Sequence, residues 1–180
     1  MPMKTDEKLP VAVLGRGNTL TAGLLRGIID CPVVELTPCR AAMEEDTGRR
    51  YRAVIVENFD GRTDTLSPCA AARWAMAGRS GITVVGLDDG EGRRLAAAAR
   101  TPVYAYSDGR PQADLSAQNV RLRGGRLEFA ALTGGDLLRL SVPAEEQPRL
   151  YDYLAALAGA LALGVPLDRA AEKLCRATGN

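Results

Sequence analysis

The sequence predicts a three-layer α/β fold: a mainly parallel sheet, helices on both faces, and a small antiparallel extension. Three observations lead there. Apolar runs of strand length (Leu9–Leu14, Arg52–Glu57, Ile82–Gly86, Thr101–Tyr106) alternate with helical segments, the pattern of a parallel sheet covered on both sides. Past Ser107 the texture changes to short alternating segments separated by Gly-Gly pairs, as in a meander joined by tight turns. Two helices then close the chain.

Taken in order, residues 1–8 form a charged leader, and residues 9–180 a single domain. Leu9–Leu14 is apolar throughout, as a strand buried on both faces must be. Gly15 and Gly17 permit a sharp turn, and Thr19 or Thr21 can cap the helix in which Leu20, Leu24, Leu25 and Ile28 recur at helical spacing. Pro32–Leu36 is a short strand, and Thr37–Arg50 a polar surface excursion. After the strand Arg52–Glu57 comes the acid-rich loop ENFDGRTD. Ser67 and Pro68 then open a helix to about Ala77, as N-cap and first helical residue. Ile82–Gly86 is a strand, Asp88–Asp89 its turn, and Gly92–Arg100 an alanine-rich helix before the strand Thr101–Tyr106. Asn119–Arg123, Arg126–Leu132 and Leu137–Val142 make the meander, an edge addition to the same domain. Pro148–Leu163 is a helix with Leu150, Leu154, Leu157 and Leu161 on its apolar stripe, ended by Gly164. Pro166–Ala177 is the last helix, with Leu167, Ala170, Ala171 and Leu174 inward.

Composition narrows the function classes. At 180 residues with 46% apolar content, the chain can bury a real core. A net charge of +1 argues against nucleic-acid or membrane partners held by bulk electrostatics. MPMKTDEK lacks a signal-peptide pattern. Cys31, Cys39, Cys69 and Cys175 lack metal-ligand spacing and read as reduced thiols. A cytoplasmic protein is therefore expected. Histidine is absent, and lysine occurs only at Lys4, Lys8 and Lys173.

The strongest site signal is the first strand–turn–helix. A helix that starts just after a buried strand turns its free N–H groups and positive dipole end toward the loop, and so attracts anions, phosphate above all. Gly15, Arg16, Gly17, Asn18, Thr19 and Thr21 line that turn. Glu57, Asp60 and Asp64, after the next buried strand, are candidate magnesium ligands, although acidic loops are commonly just solvated. Asp88 and Asp89 are candidate nucleotide contacts that also suit a helix cap. Arg149 and Asp152 lie three apart, as a surface ion pair would. Trp74 and Tyr151 read as packing residues, and no cysteine has a base partner in sequence.

Four stretches together resemble the Mur ligases. VGLDDGEGRRLAAAA is similar to their segment in which a strand ends in paired aspartates before a glycine and a helix. YDYLAALAGALALGVPLDRAAEKL resembles the helix-turn-helix closing their central ATP-binding domain. RAVIVENFDGRTDTLSP stands where that family carries TN…DHLD, and VAVLGRGNTLTAGLL where it carries GTNGKTTT. The order of all four matches, from about Leu9 to Leu174. The resemblance implies a P-loop-type fold, ATP and magnesium as cofactors, and amide formation through an acyl phosphate. It places phosphate at Gly15–Thr21, and the adenine near Arg149 and Asp152, where the family carries asparagines.

The departures from that family are specific. Its P-loop lysine falls at Thr19, and the adjacent magnesium-binding hydroxyl at Leu20, with Thr21 one position late. Without the lysine, the β- and γ-phosphates lose their main fixed cation. The metal-site histidine has no counterpart, with Arg62 or Thr63 near its place, and neither has the lysine that many members carry as a carbamate. The stretch between Ile29 and Arg52 is short for the family, and the flanking substrate domains are not expected. The sequence thus predicts a degenerate, stand-alone central domain. Its expected partners are a full-length ligase or a second copy of itself.

Overall fold

The computed structural model describes residues 9–15, 20–37, 48–57, 76–145 and 149–179. The leader, Arg16 to Thr19, Asp60, Asp64, Trp74, Cys39, Cys69 and most of the helix expected from Ser67 lie outside them. Of that helix, Met76 and Ala77 are described; both are helical and buried.

One eight-stranded sheet carries the fold. Its strands are β1 (Val11–Leu14), β2 (Val33–Leu36), β3 (Tyr51–Val56), β4 (Ser80–Gly86), β5 (Val103–Asp108), β6 (Leu115–Arg123), β7 (Arg126–Thr133) and β8 (Asp136–Pro143). They lie in the order β2-β1-β3-β4-β5-β6-β7-β8. Pairing is parallel from β2 through to β6 and antiparallel from β6 to β8. Four helices are described: α1 (Leu20–Ile28), α2 (Gly90–Ala98), α3 (Leu150–Ala162) and α4 (Leu167–Ala177).

The apolar runs explain why the central strands sit where they do. β1 is 0–1% exposed along its whole length. Val11 and Val13 pack with Ala53 and Ile55 into the core under α1, α3 and α4, while Ala12 and Leu14 pack with Val54, Val56 and Leu95 of α2 on the other face. A strand with only one apolar face would leave one of these two cores empty. Close approach of elements is secured by glycine. A Cβ on Gly92 would overlap the Gly86 carbonyl oxygen, so α2 can start against β4 only with glycine there. One on Gly159 would sit 3.1 Å from Ile55 and 3.2 Å from Leu25, where α3 crosses β3 and α1.

Three expectations are corrected. The antiparallel extension is present at the sheet's edge, but its first strand starts earlier than Asn119: β6 begins at Leu115, and Leu115–Ala117 pair in parallel with Tyr106–Asp108. Leu115, Ser116 and Ala117 are buried, but two of the three have small side chains that carry little strand signal. Thr21 is not a cap; it lies in the first turn of α1, fully buried. Of the two aspartates, only Asp89 caps α2, accepting from the Gly92 N–H at 2.6 Å. The Gly124–Gly125 and Gly134–Gly135 turns behave as expected, with φ of 54°, 72°, 55° and 97°, values that favour glycine. A bulge between Gln118 and Arg121 holds Asn119 at φ 55°.

Candidate functional site

The parallel strands deliver their carboxyl ends to one edge of the sheet, beside the N-termini of α1, α2 and α3. Gly15 follows β1 there, and its N–H donates to the Leu36 carbonyl at 3.3 Å. Glu57 follows β3, tied to β1 by its N–H on the Leu14 carbonyl at 3.0 Å. Asp88 and Asp89 follow β4, and Ser107 and Asp108 end β5. In open α/β sheets this is where ligands bind.

The residues are connected. The Thr21 hydroxyl donates to Asp152 Oδ1 at 3.3 Å, and Arg149 donates to Asp152 Oδ2 at 3.4 Å. The expected Arg149–Asp152 ion pair therefore forms, and it reaches across to α1 as well. Asp88 accepts from the Ser107 hydroxyl at 2.5 Å and from the Asp108 N–H at 2.8 Å. Arg110 Nε stands 3.4 Å from the same carboxylate. Asp88 thus ties the turn after β4 to the end of β5, a role the sequence did not show, because its partners lie 19 to 22 positions away.

The electrostatics are acidic. Tyr106, fully buried, donates to the Val56 carbonyl at 3.0 Å. Burial first, then the negative charges of Glu57, Asp89, Asp152 and Asp88, hold its hydroxyl well above the ordinary tyrosine range. Tyr151 is pushed up to about 12, by burial and then by Asp88 and Asp108. Burial, followed by Asp88, raises the Asp108 carboxyl. Tyr106 and Asp108 belong to the site and were not singled out from sequence; their strand, Thr101–Tyr106, was.

Among the described residues, no lysine stands at the phosphate turn. The one described lysine, Lys173 of α4, donates to the Ile28 carbonyl at 2.9 Å. That is the far end of α1, about 13 Å along the helix from its start. Nor do the described residues include any group of three or more acidic or thiol side chains placed to hold a metal ion. Asp60 and Asp64, two of the three candidate metal ligands, lie outside the described residues, as do Arg16, Gly17, Asn18 and Thr19 of the phosphate turn. Within what is described, the start of α1 follows β1 at the carboxyl end of the sheet, among the carboxylates of Glu57, Asp88, Asp89 and Asp152.

Comparison with known proteins places this architecture. Over 107 residues the chain is 28% identical to the UDP-N-acetylmuramoyl-L-alanyl-D-glutamate--2,6-diaminopimelate ligase of Lactiplantibacillus plantarum, an alignment covering 59% of this chain and 22% of that enzyme. Its structure superposes on MurF from Acinetobacter baumannii with a TM-score of 0.77 at 16% identity, covering 98% of this chain and 47% of MurF. It also matches the MurF ligase of Thermotoga maritima, solved in complex with ADP, with a TM-score of 0.71 at 12% identity over 94% of this chain and 48% of that one. No protein-family profile matches the sequence. The chain has the Mur ligase fold and spans about half the length of these solved ligases.

Proposed function

We propose that this is a Mur-ligase-like protein of peptidoglycan or related peptide-ligation metabolism, acting in the bacterial cytoplasm, that has lost independent catalysis. It binds phosphate or nucleotide weakly at the Gly15–Thr21 turn and serves as an accessory to a complete ligase. The observation that carries this reading is what the strand-end side chains are doing. The Thr21 hydroxyl is engaged by Asp152, and Asp88 by Ser107, Asp108 and Arg110. Groups that a ligase would turn toward nucleotide and metal are used here to hold α1 to α3 and the turn after β4 to β5. The loss of the lysine at Thr19 and of every histidine points the same way.

What remains is a helix N-terminus. Its backbone N–H groups and dipole attract a phosphate without any side-chain cation, but only weakly. ATP and magnesium are the cofactors of the resemblance, and the Thermotoga maritima relative was solved with ADP. In this chain the adenine side falls to Arg149 and Asp152, which are paired with each other. A ligase completed by a separate subunit is the competing reading. It would need the partner to bring the cation that Thr19 does not.

Calorimetric titration with ATP, with and without magnesium, separates these. The expected result is weak binding near millimolar ATP that is indifferent to magnesium and lost on Gly17→Val. Micromolar, magnesium-dependent binding would overturn the reading in favour of the partner-completed ligase.

A further inference from the structure

The β6–β8 meander has two faces of opposite character. One carries Leu127, Phe129, Ala131, Leu140 and Val142 into the core. The other is read directly from the register. Across β6, β7 and β8 run the rows Arg123–Arg126–Pro143, Arg121–Glu128–Ser141, Gln118–Ala130–Arg139 and Ser116–Leu132–Leu137. Directly opposed residues of antiparallel strands share a face, so four arginines and one glutamate stand together, on a chain whose net charge is only +1. Arg126 is committed to Ser141. Arg121, Arg123 and Arg139 are exposed and make no ion pair or hydrogen bond with any described residue. Leu137, two residues before Arg139 on β8, is 55% exposed, whereas Ser116 and Ala130 of the inner rows are buried. The described helices that touch the meander, α3 and α4, do so from the core side.

We propose that this face is a docking surface for an acidic, partly apolar protein surface. Arginine is enriched at protein interfaces and among the residues that carry their binding energy, and an exposed leucine adds apolar area to bury. The rows lie about 6.8 Å apart and the strands about 4.8 Å apart, so the patch extends about 20 Å by 10 Å before side chains are added. That is a small area, which calls for weak, salt-sensitive, transient association. Complementarity defines the partner. Carboxylates meet Arg121, Arg123 and Arg139, an apolar side chain meets Leu137, and a donor or cation meets Glu128. A nucleic acid fits worse, because Glu128 sits among the arginines and repels a phosphate backbone. No aromatic ring stands in these four rows to stack on a base. The surface gives the accessory reading a place to act, but it involves neither the phosphate turn nor the strand-end carboxylates. It stands or falls separately from nucleotide binding.

The test uses the full chain and fluorescence anisotropy with three labelled probes. These are a 20-residue peptide of Glu-Glu-Leu repeats, a duplex DNA of equal charge, and phosphatidylglycerol vesicles. The proposal expects the peptide to bind most tightly, with affinity falling as salt rises. The combined variant Arg121→Ser, Arg123→Ser, Arg139→Ser should weaken it about tenfold or more, and Leu137→Ser about threefold. Because these side chains are exposed, an unchanged circular dichroism spectrum and melting temperature are expected of the variants. No binding of the peptide, binding untouched by the triple variant, or tighter binding of DNA or vesicles through the same arginines would each overturn the proposal.

Discussion

At the scale of single residues, the strand-end cluster shows how far carboxylates can be turned to structural use. Asp88 receives two hydrogen bonds from β5 and faces Arg110. Asp108 stands beside it, raised by burial and by the Asp88 charge. Raised means that the folded chain holds the Asp108 proton more tightly than the unfolded chain does. Between the ordinary carboxylate value and the raised one, the native state binds more protons, so stability falls as pH rises through that window. At neutral pH the charge is a net cost. Asp108→Asn is therefore expected to raise the melting temperature at pH 7, and the gain should shrink as pH drops below the carboxylate range. Thermal denaturation followed by circular dichroism at pH 7 and pH 3.5 checks it; a lower midpoint at pH 7 would show that the Asp108 carboxylate is stabilising. None of this was legible from sequence, where Asp88 and Asp89 looked alike. The helix start at Gly90 decides between them: Asp89 is one residue before it and caps it, whereas Asp88 is left to face β5.

At the scale of elements, sequence gave most of what the sheet needed. Continuous apolar runs marked β1, β3 and β4, because strands buried on both faces cannot alternate. Glycine pairs marked both meander turns. The first residues of β6 were missed, since Ser116 and Ala117 are held by their neighbours and not by their own propensity. The sheet's two ends are another feature that only structure reveals. At the β2 end, Arg26 of α1 donates to the Val33 carbonyl at 3.4 Å and pairs with Glu35 at 3.0 Å. At the β8 end, Arg126 donates to the Ser141 carbonyl at 2.6 Å and to its hydroxyl at 2.9 Å, while the Tyr153 hydroxyl donates to the Pro143 carbonyl. Exposed strand edges template pairing with other chains, and these side chains occupy edge acceptors that such pairing would use. Arg126→Ala should cost about 1 kcal/mol of stability and produce concentration-dependent association in sedimentation velocity. A monodisperse variant of unchanged stability would show that Arg126 does not guard the edge.

At the scale of the whole molecule, the chain keeps the Mur ligase architecture at TM-scores of 0.71 to 0.77 in MurF relatives while sharing only 12–16% of their residues. Core positions of β1 and β3 are apolar because the two buried faces demand it. In the phosphate turn, Thr19 stands where the resemblance places a lysine, and the chain has no histidine. A shared fold does not by itself carry the chemistry of a site. From sequence, the candidate site is a set of residues that the topology gathers at the strand ends. Its present wiring was not legible there, because hydrogen bonds between residues as distant as Thr21 and Asp152 leave no local pattern.

The most direct measurement of the central claim is ATP turnover by the purified full chain with magnesium, followed as phosphate release. Loss of independent catalysis predicts no turnover above the background of a heat-denatured sample at any ATP concentration up to millimolar. Turnover that saturates with ATP and disappears on Thr21→Ala would contradict it, since the Thr21 hydroxyl would then be serving chemistry and not only Asp152.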